Sequence, residues 1–400
     1  MTFKLYIENS YLREAEANIL EKEFRNNKYY LKLDRTIFYP HLAGGQPRDK
    51  GTINQIEVID VFEDGNDIIH VVDKKINTNN VNLSIDWEHR FDLMQQHTGQ
   101  HLLSSCFYSL FNAETVGFHI GQDYIYIDIT KPYLKEEEVK QVEFLANKII
   151  QSNFKISSYI VDKTNLSKFP IRKMPITDED IRIVEIDGFD YSPCCGTHVF
   201  YTGEIGLIKI RKWEKYKGNT RVEFACGFRA LKDYSWKNSY IQEIGLMLSC
   251  RDEDVLEKAK KFMDKNNKLE KENKSLRRDL YKYKGELYLI ESKTYDNIRY
   301  IIKEINDSTL KEASLIAANL NNKNKLIQIY SISNGETAQF LISRSDDLDI
   351  NLREIFNNIS QKIIVKGGGS PQMIQGGSSI ILLDTVIKMF YKEIRNYFKG

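Results

Sequence analysis

The chain has no stretch of about twenty apolar residues, the length a membrane-crossing helix needs. Its first residues, Met1-Thr2-Phe3-Lys4, lead into no long apolar run, so no secretory signal and no membrane span are expected. Cysteine is scarce. The five present (Cys106, Cys194, Cys195, Cys226, Cys250) are odd in number and follow no framework spacing. That argues against a disulfide scaffold and for reduced thiols in a cytoplasmic setting. An excess of one charge is also lacking: 57 basic residues face 56 acidic ones, a net +1, so any nucleic-acid contact must use local patches. Motif absences narrow the chemistry further. Thr98 stands where a zinc peptidase needs Glu after its first His. Pro193-Cys194 is followed by no second cysteine at nucleobase-deaminase spacing. The glycine run Gly367–Gly377 lacks the Gly-Lys-Ser/Thr ending of a nucleotide P-loop.

What is present centres on His97-Thr98-Gly99-Gln100-His101, inside a run that reads as helix over 91–111. One helical turn is 3.6 residues, so His97 and His101 share a face and both rings can reach one ion. Cys194-Cys195-Gly196-Thr197-His198 repeats the four-residue spacing. Together the outer members offer three imidazoles and a thiolate, a set suited to one zinc ion per chain. A lone His-x-x-x-His is usually solvated or packed in a core; the joint occurrence of two such pairs carries the reading.

Around this centre the chain divides into four. Residues 1–90 read as short strands (29–33, 53–61, 68–72) that a small β-barrel would close. Residues 91–230 mix helices with strands 124–129, 181–186, 206–210 and 221–225, an α+β pattern with one ligand pair on a helix and the other on a loop. Lys209, Arg211, Lys212, Lys215, Lys217 and Arg221 cluster around Trp213 and Tyr216, which suits either a solvated face or a phosphate backbone with a stacked base. Residues 231–295 read as a helical linker. Within 252–292 Val255, Phe262, Leu269, Leu276, Tyr283 and Ile290 repeat every seven residues, interleaved with Ala259, Asn266, Asn273, Leu280 and Leu287. That seam suits a homodimeric coiled coil, with packing inside the chain as the competing reading. Residues 296–400 alternate strand and helix, and their glycine-rich run is expected to be a loop, either a plain turn or an anion site of exposed N–H groups.

The paired ligands in this context resemble the editing domain of alanyl-tRNA synthetase and its free-standing relatives, the AlaX proteins. Leu33–Pro40, Gly44-Gly45-Gln46-Pro47 and Asp49-x-Gly51 are similar to that family's N-terminal barrel signature. Thr202-Gly203-Glu204-Ile205-Gly206 follows the second pair as it does there, and Gly367–Gly377 resembles the DHH-associated C-terminal domain. No DHH triplet is present, so phosphoesterase chemistry lacks its metal ligands. Cys195 stands where the family more often has glycine, and could compete as a ligand or simply pack.

The resemblance implies the long AlaX form: a multidomain α+β chain of barrel (1–90), zinc-containing editing domain (91–230), helical linker (231–295) and DHH-associated domain (296–400). It implies hydrolysis of the ester that joins serine, or glycine, to alanine tRNA, with a non-catalytic tRNA-binding protein as the alternative. Discrimination by one small group yields only about 1–3 kcal/mol, so a second sieve with polar groups for the serine hydroxyl is needed. The implied catalytic set is His97, His101, Cys194 and His198 with Gln100. Thr36, Gly44, Gly45, Gln46, Phe118 and His119 would meet substrate. Lys212, Lys215, Lys217, Arg221, Lys366, Gly367, Gly368, Gly369, Gly376 and Gly377 would meet tRNA. Four protein ligands usually close a zinc site, whereas catalysis needs an open position. Either one ligand, His198, is loosely held, or the ion positions substrate and water without binding the nucleophile.

Overall fold

The computed structural model describes residues 1–41, 45–121, 124–172, 181–306, 308–333 and 338–399. The chain forms two compact units, Met1–Ile244 and Gly245–Gly400.

In the first unit, period-two alternation sets which side of each strand is buried. Asn80–Ile85 buries Val81, Leu83 and Ile85 and turns Asn80 and Asn82 outward. Six antiparallel strands close on themselves in the order Glu14–Arg25, Lys28–Leu33, Asp67–Val72, Ile56–Asp64, Gly51–Ile53 and Asn80–Ile85. Closure gives each barrel strand a neighbour on both sides, and Leu31, Leu33, Ile53, Val61 and Val72 fill the interior.

The helix Trp87–Phe111 follows at once. It starts four residues before the expected boundary because Asp86 caps it, its carboxylate accepting the His89 N–H at 3.1 Å. Asn112, in the left-handed region at φ 51°, ends it. From Leu93 to Phe107 every residue is buried, since the helix is enclosed by an antiparallel sheet, the helix Glu136–Ser152 and further elements. The sheet runs Ile208–Tyr216, Asn219–Cys226, Ile125–Ile129, Thr115–Ile120, with Thr115–Ile120 at its edge. A smaller sheet, Ile156–Val161, Ile181–Ile186, Asp190–Pro193, delivers the second ligand loop.

One buried ion pair fastens the ligand helix to the barrel side. Arg90, wholly inaccessible, donates through Nε to Asp49 Oδ1 at 2.7 Å and through Nη2 to Asp49 Oδ2. Its remaining donors reach the carbonyls of Ser10 (2.8 Å) and Ile37 (2.6 Å). Asp49 also accepts the Tyr39 N–H at 2.6 Å.

The second unit is a six-stranded mixed sheet in the order Lys293–Tyr295, Ile298–Asn306, Leu326–Ser333, Ala338–Arg344, Met373–Ser378, Lys366–Gly369. Ile298–Asn306 and Leu326–Ser333 are parallel, joined through the helix Leu310–Leu320. Leu352–Ser360 and Ile380–Lys399 cover one apolar face, while Leu310–Leu320 and the end of the long helix Val255–Ile290 cover the other. The glycine-rich run is not the loop expected: Lys366–Gly369 and Met373–Ser378 form a hairpin, and the latter strand is also bonded to Ala338–Arg344. Its glycines serve close strand approach. A Cβ on Gly376 would lie 2.6 Å from the Phe340 ring, and one on Gly367 2.7 Å from the Gly376 Cα. None of the described helices is long and apolar enough to cross a membrane.

Candidate metal centre

His97 and His101, one turn apart on the buried helix, meet the loop that leaves Asp190–Pro193. The donor atoms of His97, His101, Cys194 and His198 all lie within 4.8 Å of one another. Cys194 Sγ stands 3.4 Å from His97 Nε2 and 3.3 Å from His198 Nε2. Tetrahedral zinc with ordinary Zn–N and Zn–S bonds requires ligand separations of about 3.4–3.6 Å. The donor set and the two Cys194 separations are therefore compatible with zinc. Cys195, exposed, stands outside the cluster.

Neighbouring groups fix the rings. Gln46 Oε1 bonds His97 Nδ1 at 2.9 Å and accepts the Thr197 N–H at 3.1 Å, leaving His97 Nε2 free to face the thiol. Thr98 Oγ1 bonds His198 Nδ1 at 3.1 Å and accepts the Val199 N–H at 3.3 Å. Such partners select the tautomer and aim of a metal-binding imidazole. His198 is thus buried and pinned rather than loose; His101, whose Nδ1 has no hydrogen-bond partner among the described residues, is the least constrained ring. The Gly196 N–H points at Cys194 Sγ at 3.3 Å. A Cβ on Gly196 would fall 2.2 Å from His97 Cε1, so only glycine lets this backbone approach the ring.

Of the other residues singled out in the sequence, Gln46, Gly45 and Phe118 adjoin the cluster. The Phe118 ring stacks 6.1 Å from that of His97 and abuts Gly45, which adopts φ +80°. Gly44 lies outside the described residues. Gln100 is turned aside, donating to Ser104 Oγ at 3.0 Å. Thr36 is buried with its hydroxyl 2.8 Å from His70 Nε2, accepting the Phe38 N–H. His119, one residue on from Phe118, faces the opposite side of the sheet and stacks on Tyr126. In the basic run Lys212 pairs with Glu214, and Arg221 is held by both oxygens of Asp128 at 2.8 Å. Lys215 and Lys217 have no acidic partner among the described residues.

No sequence motif marks Arg182. It donates to the carbonyls of Cys194 (2.8 Å) and Gly196 (2.9 Å) and so shapes the ligand loop. Its strand was recognisable, but no linear pattern ties it to a loop twelve residues on. Burial pulls all three cluster imidazoles down, His101 to about 3, and the nearby Arg182 charge acts in the same direction. Neutral imidazole is the form a metal binds. Burial pushes the Cys194 thiol up to about 11, against the Gly196 N–H and the Arg182 charge, which favour the thiolate.

His70 gives a separate acid response. Burial lowers it to about 4, opposed by the Leu31 backbone. Its unfolded value is about 6.5, so between the two the unfolded chain binds the extra proton and stability rises with pH. This contribution is complete above pH 6.5 and is lost as pH falls toward 4, amounting to about 3 kcal/mol. Urea midpoints of wild type and His70→Gln between pH 7.5 and 4.5 are expected to converge as the pH drops; parallel curves would exclude it.

The model of the threonyl and alanyl tRNA synthetase second additional domain matches residues 181–223. Alanyl-tRNA editing protein AlaX-L of Pyrococcus horikoshii is 31% identical over 390 residues, 94% of this chain and 94% of its own. The alanine–tRNA ligase of Ignicoccus hospitalis is 32% identical over 339 residues, 79% of this chain but 36% of its own length. Alanyl-tRNA editing protein Aarsd1 of Mus musculus is 33% identical over 257 residues, 63% of this chain and 62% of its own.

Proposed function

Because the chain belongs to the AlaX family of alanyl-tRNA editing proteins, we propose that it is a free-standing deacylase that hydrolyses the ester between serine, or glycine, and alanine tRNA in the cytoplasm. The observation that carries this reading is the convergence of His97, His101, Cys194 and His198 beside the Gly45–Gln46–Phe118 wall. These four side chains would hold one zinc ion, which when bound supplies Lewis-acid polarisation of the ester carbonyl. Gln46 and Thr98 hold the rings in their donor orientation. Gly45, Gln46 and Phe118 line the approach to the cluster. Thr36, its hydroxyl oriented by His70, is the proposed partner of the serine hydroxyl, and Gln100 the proposed polar support from the ligand helix.

In this reading residues 1–90 are the barrel domain, 91–230 the editing domain, 231–295 the linker and 296–400 a DHH-associated domain. The tRNA contacts are Lys212, Lys215, Lys217 and Arg221 in the first unit and Lys366–Gly369 with Gly376 and Gly377 in the second. Homodimerisation through 252–292 is supported by Phe262, Leu269, Leu276 and Tyr283, all exposed along Val255–Ile290.

The test is deacylation of serylated alanine tRNA by wild type and His101→Ala. Wild type is expected to be active. The variant should lose more than the about 10–100-fold that removing a mere partner of a metal ligand produces. Equal inactivity of both, with tRNA binding retained, would replace this reading by that of a binding protein.

A further inference from the structure

The outward face of the four-stranded sheet carries planar groups that the cluster does not use. Along Ile125–Ile129 the isoleucines point inward, so Tyr124, Tyr126 and Asp128 point outward. His119 is the cross-strand partner of Tyr126, and Arg221 that of Asp128. The His119 and Tyr126 rings stack at 5.3 Å and 25°, and Tyr124 and Tyr126 lie 6.2 Å apart at 13°. The Arg221 guanidinium continues the column, 3.6 Å from the centre of the Tyr126 ring and 3.7 Å from that of Tyr216. Lys217 lies over the far ring. Both ends of this column reach solvent, and Tyr124 is 51% exposed.

Cross-strand stacking stabilises a sheet by itself. Two further observations point to an occupant. Tyr124 also borders a cavity of about 630 Å³ whose rim includes Lys50, Lys232 and the exposed Trp236. Neither lysine has an acidic partner among the described residues. A row of π-faces beside unneutralised cations is complementary to a single-stranded nucleic acid, bases on the rings and phosphates on the lysines. Moreover, Thr115–Ile120 is the edge strand, and successive residues on it serve both faces: Phe118 lies against His97, and His119 begins the column. The two faces are separated by about 10 Å, the thickness of one sheet layer. A short run of nucleotides passing round this edge would have its last residue at the cluster and its preceding bases on the column.

We propose that Tyr124, His119 and Tyr126 form a stacking platform for the unpaired 3′-terminal nucleotides of the tRNA, with Lys50 and Lys232 facing their phosphates. This rests on the editing reading for the identity of the ligand, but its test does not depend on catalysis. The probes are an alanine tRNA transcript and the same transcript trimmed of its unpaired 3′ nucleotides, with Kd measured by fluorescence anisotropy for the full-length protein. Wild type is expected to prefer the intact transcript by about 10-fold or more, the scale of one or two base–aromatic stacks. In the double variant His119→Ala, Tyr124→Ala that preference should fall to less than about 2-fold, with the affinity for the trimmed transcript retained. Tyr124→Trp, which restores a larger ring, should preserve the preference and control for folding. A wild type indifferent to trimming, or a double variant with undiminished preference, overturns the platform. A wild type that shows the preference but deacylates nothing overturns the editing reading and leaves the platform standing.

Discussion

Alanine in place of Gly196 is expected to disable the metal centre as completely as loss of a ligand. The added methyl would sit 2.2 Å from Cε1 and 2.4 Å from Nδ1 of His97, well inside van der Waals contact. Neither side can yield cheaply. His97 is 1% exposed and its Nδ1 is engaged by Gln46, while Arg182 holds the carbonyls of Cys194 and Gly196 within the ligand loop. Relieving the overlap therefore moves the ring or the thiol and opens the cluster. Purified Gly196→Ala protein should contain little zinc by elemental analysis where wild type is expected to contain one ion per chain, and deacylation should fall at least about 100-fold. Stoichiometric zinc with wild-type rates would show that the loop repacks freely and that the close approach has no part in the site.

Removing the carboxylate of Asp49 should give the largest loss of stability. Arg90 is fully buried, and no other acid pairs with it among the described residues. A guanidinium stranded in this way costs about 3–5 kcal/mol, more than the intact pair contributes over an apolar replacement, because the remaining charge cannot be rehydrated. Asp49→Ala also leaves the Tyr39 N–H without its acceptor. For a unit the size of Met1–Ile244 this corresponds to a fall of about 10 °C in the midpoint of its unfolding transition. The double variant Asp49→Ala, Arg90→Met, which removes both charges, should recover a substantial part. A shift in Asp49→Ala of no more than a degree or two would mean that water reaches Arg90 and that the pair is not the fastening inferred above.

Much of the grouping of these four side chains was readable in the linear sequence because each pair is local. Helix periodicity alone puts His97 and His101 on one face, and the spacing of Cys194 and His198 repeats the pattern on a loop. Alternation likewise identified Ile181–Ile186, and the seven-residue repeat marked the helix Val255–Ile290. What escaped was contact through space. Nothing in the order of residues joins Thr98 to His198, Arg182 to the ligand loop, or Arg90 to Asp49. The glycine-rich run was misread for a different reason: a glycine-rich composition is equally suited to an open turn and to strands that approach too closely for side chains, and Phe340 packed over Gly376 decides for the strands. The helix start was misplaced because its apolar spacing begins at Phe91, whereas its cap, Asp86, sets the first turn.

The distance along the chain between the two ligand pairs has a consequence for how the protein assembles. His97 and His198 are brought together only after the intervening strands and the helix Glu136–Ser152 have found their places. Closing so long a segment is entropically unfavourable until those contacts repay it, and a pair of imidazoles on a free helix is a weak chelate by comparison with four donors. Ion capture is therefore expected late on the folding path, so that in refolding from denaturant the recovery of secondary structure should precede uptake of zinc.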